Sequence, residues 1–570
     1  MLFDYIKNQI DSHLVISFDI FDTLLLRPYA KPTDLFLHLE KIHQTAGFKD
    51  ARIQAEKQAR QINADAEDIT LDDIYAQLDK KYKHCQNLEL QLERQILYPN
   101  PDLKEIFDYA KKQKKRIIIT SDMYLPEDFL SDVLAQKGFA EFDKIYLSSS
   151  IRKTKDTGTL YQHILDDLKV KPADILHMGD NLKSDKIKAE KAGLHSIFFP
   201  KKIDEVFENN QRAKIFYERH QNDLTASVLL GLLAISPADD NYWKNFGYTY
   251  AGPAILAYVN WIYRQLTHDK INDVMFLGRD GYPLKKVFNL LYPDKFNTHY
   301  FYAPRLLNLA TQKKSYTTYL KQFDLKSKNI ALIDSCSSLL SAQKKLVACL
   351  PNKNITGYYW FTYDNGRNNT EKYQIKTFQY SDKTKFLNWN IMELFMSAPT
   401  PPVEKINGTD VVFKKANAFD KKRIEIYPNL LDGITFFAEK YQEIFKSASV
   451  QFSCDTIVDW INILCTVSTK KDKEQFSQIY HAEDKGHTDY KPLMACWNKH
   501  QINMKGFFKV ISNNDKFEIK LFKFISFIKY KRSSNRFYFL GLPVCQTKKK
   551  KNKTVFLLFN FLPLISIKRT

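Results

Sequence analysis

Two aspartates, Asp19 and Asp22, follow a short apolar run in Asp19-Ile20-Phe21-Asp22-Thr23-Leu24. Read as aspartates at i and i+2 after a strand, two such carboxylates can divide labour at a phosphate ester. One attacks phosphorus to give an aspartyl-phosphate, and the other protonates the leaving oxygen and then activates water. Like charge opposes the attack, by about 4 kcal/mol for unit charges ~4 Å apart at an effective dielectric near 20, so a cation has to offset it. The chain offers Lys155, in Lys153-Thr154-Lys155-Asp156-Thr157-Gly158, and further acids in Asp180 and Asp185 of Gly179-Asp180-Asn181-Leu182-Lys183-Ser184-Asp185. Magnesium takes oxygen ligands in octahedral geometry and keeps waters, which suits Asp19, the backbone carbonyl of Asp22 and Asp180. The Ser121 hydroxyl would hold a phosphoryl oxygen. Plainer roles compete with each of these. The aspartates could be turn or cap residues only, Lys153 rivals Lys155, and Thr120 rivals Ser121; the spacing to Gly158 favours Lys155.

Apolar runs of strand character recur at Leu14 to Phe18, Arg116 to Thr120, Ile145 to Leu147, Ile175 to Met178 and Ser196 to Phe199. Helical patterns separate them, such as Leu103, Ile106, Phe107 and Ala110 at i, i+3, i+4 and i+7. Strands alternating with helices predict crossover units and a parallel sheet, and ligands bind at the carboxyl ends of such strands. The acids, Ser121 and Lys155 all fall there. Between the first two strands lies an insertion, 28–100, rich in Ala, Glu, Gln, Lys and Leu, which reads as a helical module.

Four elements in this order resemble the motifs of the haloacid dehalogenase (HAD) superfamily over about residues 10–200. DIFDTL resembles the first motif, Ser121 in ITSDMY the second, Lys155 the third and GDNLKSD the fourth. The resemblance implies an α/β, Rossmann-like core with 28–100 as a helical cap that closes over the site. It implies Asp19 as nucleophile, Asp22 as general acid/base, and phosphate contacts from Ser121 and Lys155. It also implies Mg²⁺ held by Asp19 and Asp180 with Asp185 supporting, beside the Asp22 carbonyl read from the residues above. The superfamily's dehalogenases lack a carboxylate at the Asp22 place, so phosphate esters are favoured over haloacids.

A second α/β pattern begins near 240, with strand candidates Val274 to Leu277, His299 to Tyr302, Ile330 to Ile333 and Thr356 to Phe361. Two strand ends, Gly278-Arg279-Asp280-Gly281-Tyr282 and Asp334-Ser335-Cys336-Ser337-Ser338, suit an anion through backbone N–H groups and a helix N-terminus. The same residues are also good turn and cap formers. FLGRDGY followed by YAPR, ending in Arg305, resembles bacterial proteins found with surface-polysaccharide genes. The two-loop layout is similar to a phosphoribosyltransferase, with the single acid Asp334 where paired acids are usual. The expected layout is an HAD domain at 1–205, a second α/β domain at 206–415, a helical region at 416–500 and a basic aromatic tail at 501–570. The expected function is hydrolysis of a sugar phosphate in capsule or lipopolysaccharide synthesis, coupled to glycosyl or phosphoribosyl transfer. The alternative is a general metabolite phosphatase with a non-catalytic interaction domain.

The net charge of +20 is concentrated in the tail, where 16 Lys and Arg face Asp515 and Glu518, giving 16 − 2 = +14. Aromatic clusters followed by lysines (FKFISFIKYK, FYFLGLPVCQTKKK, LLFNFLPLISIKR) suit an anionic membrane surface. The alternative is a short strand-and-turn module whose lysines are only solvated, and nucleic acid fits less well than either, since no nucleic-acid fold signature accompanies the clusters. Seven cysteines without a CxxC pair argue against a disulfide framework or a cysteine zinc site. The polar start and the short apolar runs predict neither export nor a membrane span. The expected location is cytoplasmic, peripheral on the inner face of the membrane.

Overall fold

In the computed structural model the described residues are 2–236, 239–304, 307–337, 340–362, 373–379, 386–482, 489–494 and 497, together with the backbone of the strands between 508 and 568. The chain forms two units, Met1–Leu464 with His481–Tyr490, and Cys465–Tyr480 with Lys491–Thr570.

The first parallel sheet is built on β1 (Val15–Phe18), all four residues of which are buried. A strand covered on both faces reads as a near-continuous apolar run, here interrupted only by Ser17. Its partners are β2 (Arg116–Ser121), β3 (Lys144–Leu147), β4 (Ile175–Gly179) and β5 (His195–Phe198), in the order β3-β2-β1-β4-β5. Val15 pairs with Arg116 on one side and Ile175 on the other, both parallel. The central placement of β1 therefore brings the loops after β1, β2 and β4 to one edge. The strands lie within a residue or two of the apolar runs that predict them.

Between β1 and β2 the insertion folds as α1 (Asp34–His43), α2 (Phe48–Ile62), α3 (Leu71–Ala76) and α4 (Cys85–Ile96). Its two stems, Leu25–Leu26 and Tyr98–Pro99, pair antiparallel. Inside it, Arg52 donates to Glu89 through Nε and Nη2, both at 2.9 Å, and both side chains are buried. Helix α5 (Pro101–Lys112) follows the sequence rules closely. Asn100 caps it by accepting from the Asp102 N–H, proline stands in the first turn, and Leu103, Ile106, Phe107 and Ala110 are its buried residues.

Helix α6 (Leu224–Ile235) comes next in the chain, and the second parallel sheet follows it: β6 (Asp273–Leu277), β7 (Asn297–Phe301), β8 (Asn329–Ser337), β9 (Asn354–Thr362) and β10 (Ile375–Thr377), ordered β10-β9-β8-β6-β7. Every pair is parallel. Helix α7 (Gly281–Leu291) leaves β6, and α8 (Ala418–Phe445) runs for 28 residues.

Helices α6 and α8 hold the insertion. The Ala30 N–H donates to the Ser227 carbonyl at 3.1 Å, and the Ser227 hydroxyl donates to Asp34 at 2.7 Å. Lys440 donates to the Tyr98 hydroxyl at 2.7 Å, and the rings of Tyr29 and His38 rest on Phe445. Gly231 permits the closest approach, since a Cβ there would meet the Pro28 carbonyl carbon at 2.0 Å. Gly231→Ala is therefore expected to destabilise the protein by roughly 2–3 kcal/mol through overpacking against backbone, despite the ~1 kcal/mol gain in helix propensity. A urea melt checks this, and a variant as stable as the wild type would refute the close contact.

The tail forms a seven-stranded antiparallel meander, from Phe508–Ser512 through consecutive strands to Leu562–Lys568. Its sequence repeat is thus a hairpin repeat: Pro543 and Pro563 are each the second residue of a strand, Leu542–Lys550 and Leu562–Lys568. The expected contact of its aromatics and lysines with an anionic surface concerns side chains outside the described residues. Among the described residues no helix is long and apolar enough to cross a membrane, and Cys85, Cys336, Cys349, Cys454 and Cys465 are free thiols.

Candidate active site

At the carboxyl ends of β1, β2 and β4 a cavity of about 520 Å³ is lined by Asp19, Asp22, Ser121, Lys155, Asp180 and Asp185 from the core, and by Leu35, Phe36 and Glu56 from the insertion. All six core residues singled out in the sequence converge on it. Asp19 leaves β1 with its N–H bonded to the Met178 carbonyl of β4 at 2.9 Å. Its Oδ1 accepts from Lys155 Nζ at 2.7 Å, and Lys155 also reaches Asp185 Oδ1 at 2.6 Å. Lys155 is buried, and Lys153 is only half-buried. Burial works against the Lys155 ammonium, but the Asp185 and Asp19 carboxylates outweigh it and raise its pKa well above the usual lysine range. Burial likewise opposes charge on Asp185, yet Lys155 and His177 hold that carboxyl far below the usual range.

A buried chain of polar groups lies beneath. Thr120 meets Ser17 at 2.9 Å, Ser17 meets His177 Nδ1 at 2.8 Å, and His177 Nε2 meets Asp185 at 3.2 Å. Thr120 is thereby occupied. The Ser121 hydroxyl, by contrast, makes no hydrogen bond to any described residue and faces the cavity. Asp122 accepts from the Lys155 N–H at 2.8 Å, and burial pushes its carboxyl up to about 6 against the pull of Lys155.

On the other side of Asp19, Lys201 Nζ lies 3.0 Å from Asp22 Oδ2 and 3.2 Å from Asp180 Oδ2. The Thr23 hydroxyl donates to Asp180 Oδ1 at 3.3 Å. Burial, with the Asp19 charge adding to it and Lys201 opposing, pushes the Asp180 carboxyl up to about 7. Nearest oxygens of Asp19, Asp180 and Asp185 lie within 4.8 Å of one another, and all three residues are buried. A buried, all-carboxylate set suits a hard divalent cation. Asp185 has both oxygens engaged, by Lys155 and His177 on one and the Asn181 N–H at 2.9 Å on the other, which fits a supporting place beside Asp19 and Asp180.

One expectation needs correcting. Two carboxylates sharing a face of an extended chain stand two residues apart, but Asp22 is the third residue past Asp19 and Phe21 takes the second place. Phe21 is buried under the Arg27 guanidinium, 3.9 Å from its ring centroid. Asp22 comes back to the site through a left-handed backbone, φ 54°, which aspartate tolerates better than most residues. Sequence reasoning missed Lys201, His177, Thr23 and Asp122. Only Asp122, next to Ser121, carried a positional signal.

In the second sheet, β6 and β8 are adjacent and their ends do meet, through Asp280 and Ser335, whose side chains are hydrogen-bonded. Asp334 is buried, bonded to its own neighbour's N–H (Ser335) at 2.8 Å, and its carbonyl accepts from Tyr258. Arg279 lies in the electrostatic reach of Arg423, whose guanidinium burial, with the Arg279 charge adding, lowers to about 10. Arg305 lies outside the described residues.

The family model of haloacid dehalogenase-like hydrolases matches residues 14–193. No curated protein matches the chain. Among solved structures, a predicted phosphoglycolate phosphatase from Haemophilus somnus is 15% identical over 33% of this chain and 85% of its own, with a TM-score of 0.25. An HAD phosphatase from Thermococcus onnurineus is 18% identical over 32% and 85%, TM-score 0.26. The L-2-haloacid dehalogenase of Xanthobacter autotrophicus is 16% identical over 35% and 83%, also at 0.26. The N-terminal third of the chain is a haloacid dehalogenase-like hydrolase domain.

Proposed function

We propose that this domain is a Mg²⁺-dependent phosphate-monoester hydrolase working through an aspartyl-phosphate on Asp19, with a sugar phosphate as the substrate class. The observation that carries the proposal is the buried acidic group of Asp19, Asp180 and Asp185 facing the unbonded hydroxyl of Ser121 in one cavity. The Asp19 oxygen turned from Lys155 attacks phosphorus in line with the leaving oxygen. Lys155 and Ser121 neutralise and hold the phosphoryl oxygens. Asp22 delivers the proton to the leaving oxygen and then takes one from the water that opens the acyl-phosphate. Held by Asp19, Asp180 and the Asp22 carbonyl, Mg²⁺ would supply charge neutralisation at phosphorus. The insertion excludes water from the cavity and supplies its contacts to the rest of the substrate.

The test is phosphate release from a panel of sugar phosphates, nucleotides and small acid phosphates, with and without EDTA. Release should vanish with EDTA and return with Mg²⁺. Because Asp180 is pushed up to about 7, a proton competes with the cation below that pH. Apparent Mg²⁺ affinity should fall roughly fivefold from pH 7 to pH 6. Activity indifferent to EDTA would contradict the proposal. A preference for nucleotides over sugar phosphates would move the substrate class to general metabolites.

Phe21 in the second place past Asp19 favours a second reading, hydrolytic dehalogenation. A halide leaves without a proton and asks for no acid there. This reading expects EDTA-insensitive halide release from a 2-haloacid, and no phosphate release.

A further inference from the structure

We propose that Lys201 is a positioning residue that carries Asp22 to the reaction centre and shares Asp180 with the bound cation. The proposal rests on the phosphatase reading above, and it follows from the displaced acid. With Phe21 in the second place past Asp19, the second carboxylate comes from one residue further on, through a left-handed turn. Nothing in the turn itself aims that side chain. The Asp22 N–H is spent on the Leu25 carbonyl at 2.8 Å, which fixes the backbone and leaves the carboxylate to be aimed by whatever binds it. What binds it is Lys201, at 3.0 Å.

Lys201 comes from outside the four motif segments, just after β5, the edge strand of the sheet. Its ammonium bridges Asp22 and Asp180, as Lys155 bridges Asp19 and Asp185. The four acids are thus divided between two lysines, one buried at 3% exposure and one at the rim at 38%. The difference in exposure separates their roles. Lys155 is locked beneath the site, and Lys201 has open solvent to move through. Where a cation takes Asp180, the Lys201 ammonium loses that partner to charge repulsion and keeps Asp22, the carboxylate that must face the leaving oxygen.

Two measurements on full-length protein decide this. In a calorimetric Mg²⁺ titration without substrate, Lys201→Met should bind Mg²⁺ at least about fivefold more tightly than wild type, because a unit positive charge beside Asp180 is gone, and Lys201→Arg should bind as wild type does. In a kinetic cycle, Lys201→Met should lower kcat about tenfold or more with little change in KM, Lys201→Arg should restore most of it, and adding Lys201→Met to Asp22→Asn should cost nothing further, since both act on one group. Unchanged or weaker Mg²⁺ binding by Lys201→Met overturns the sharing of Asp180. Additive losses in the cycle overturn the positioning of Asp22. Failure of the phosphatase reading looks different: wild-type protein releases no phosphate from any ester, while the Mg²⁺ titration still decides the role of Lys201 at Asp180. A wild type that binds no Mg²⁺ overturns both.

Discussion

Asp19→Asn is expected to lower Mg²⁺-dependent phosphate release by at least ~10³-fold, because an amide is too weak a nucleophile to form the covalent intermediate. The substitution keeps the shape of the side chain and removes one charge from a crowded acidic group. The fold should tolerate it: Asp19 is one of the charges that push Asp180 up, so its loss relieves repulsion in the metal-free site. Steady-state phosphate release, with a thermal melt to show that the variant is folded, checks this. A folded variant retaining more than about a tenth of wild-type turnover would remove Asp19 from its role.

Lys155→Met is expected to damage both activity and stability. Its ammonium lies 2.7 Å from Asp19 and 2.6 Å from Asp185, so the variant leaves two buried carboxylates without their cation. Uncompensated buried charge of this kind costs about 3–5 kcal/mol, and loss of the phosphoryl contact should lower kcat by roughly 10²–10³-fold. The pH dependence has a definite sign. The depressed folded pKa of Asp185 contributes stability that is present above the unfolded value, near 4, and is lost as pH falls further toward the folded one. The stability gap between wild type and Lys155→Met is therefore widest near neutral pH and narrows below about pH 4. Urea melts at pH 7 and at about pH 2 without added metal measure it. Equal stabilities at pH 7 would contradict the ion-pair geometry.

The N-terminal sheet was legible in the sequence because its signals are local and strong. Val15, Ile16 and Phe18 put apolar side chains on both faces of a buried strand, as a central parallel strand needs, with Ser17 the one polar residue in the run. The spacing of Leu103, Ile106, Phe107 and Ala110 is that of one helical face. Asp19, Ser121, Lys155 and Asp180 were legible because each directly follows or ends a strand or sits in a polar loop. Lys201 was not, because a lysine in Phe199-Pro200-Lys201-Lys202 looks like any solvated loop charge until the sheet order puts the end of β5 beside that of β4. His177 was hidden inside a buried strand, where its partners Ser17 and Asp185 come from other elements. The hold of α6 and α8 on the insertion depends on contacts roughly 200 to 400 residues apart in the chain, such as Ala30 with Ser227 and Tyr98 with Lys440, which no local pattern encodes. The second sheet shows the reverse case. Its strands were evident, but which strand-end side chains meet was not: the Ser335 hydroxyl donates to Asp280.

The central claim is a covalent phosphoryl group on Asp19. Rapid-quench mixing of protein with Mg²⁺ and a substrate ester, followed by acid trapping and peptide mass spectrometry, reads it directly. The account predicts a phosphorylated peptide containing Asp19, formed within a single turnover, lost on longer incubation and absent in Asp19→Asn. Turnover that proceeds with Asp19 never phosphorylated, or with the phosphoryl group on another residue, would contradict it.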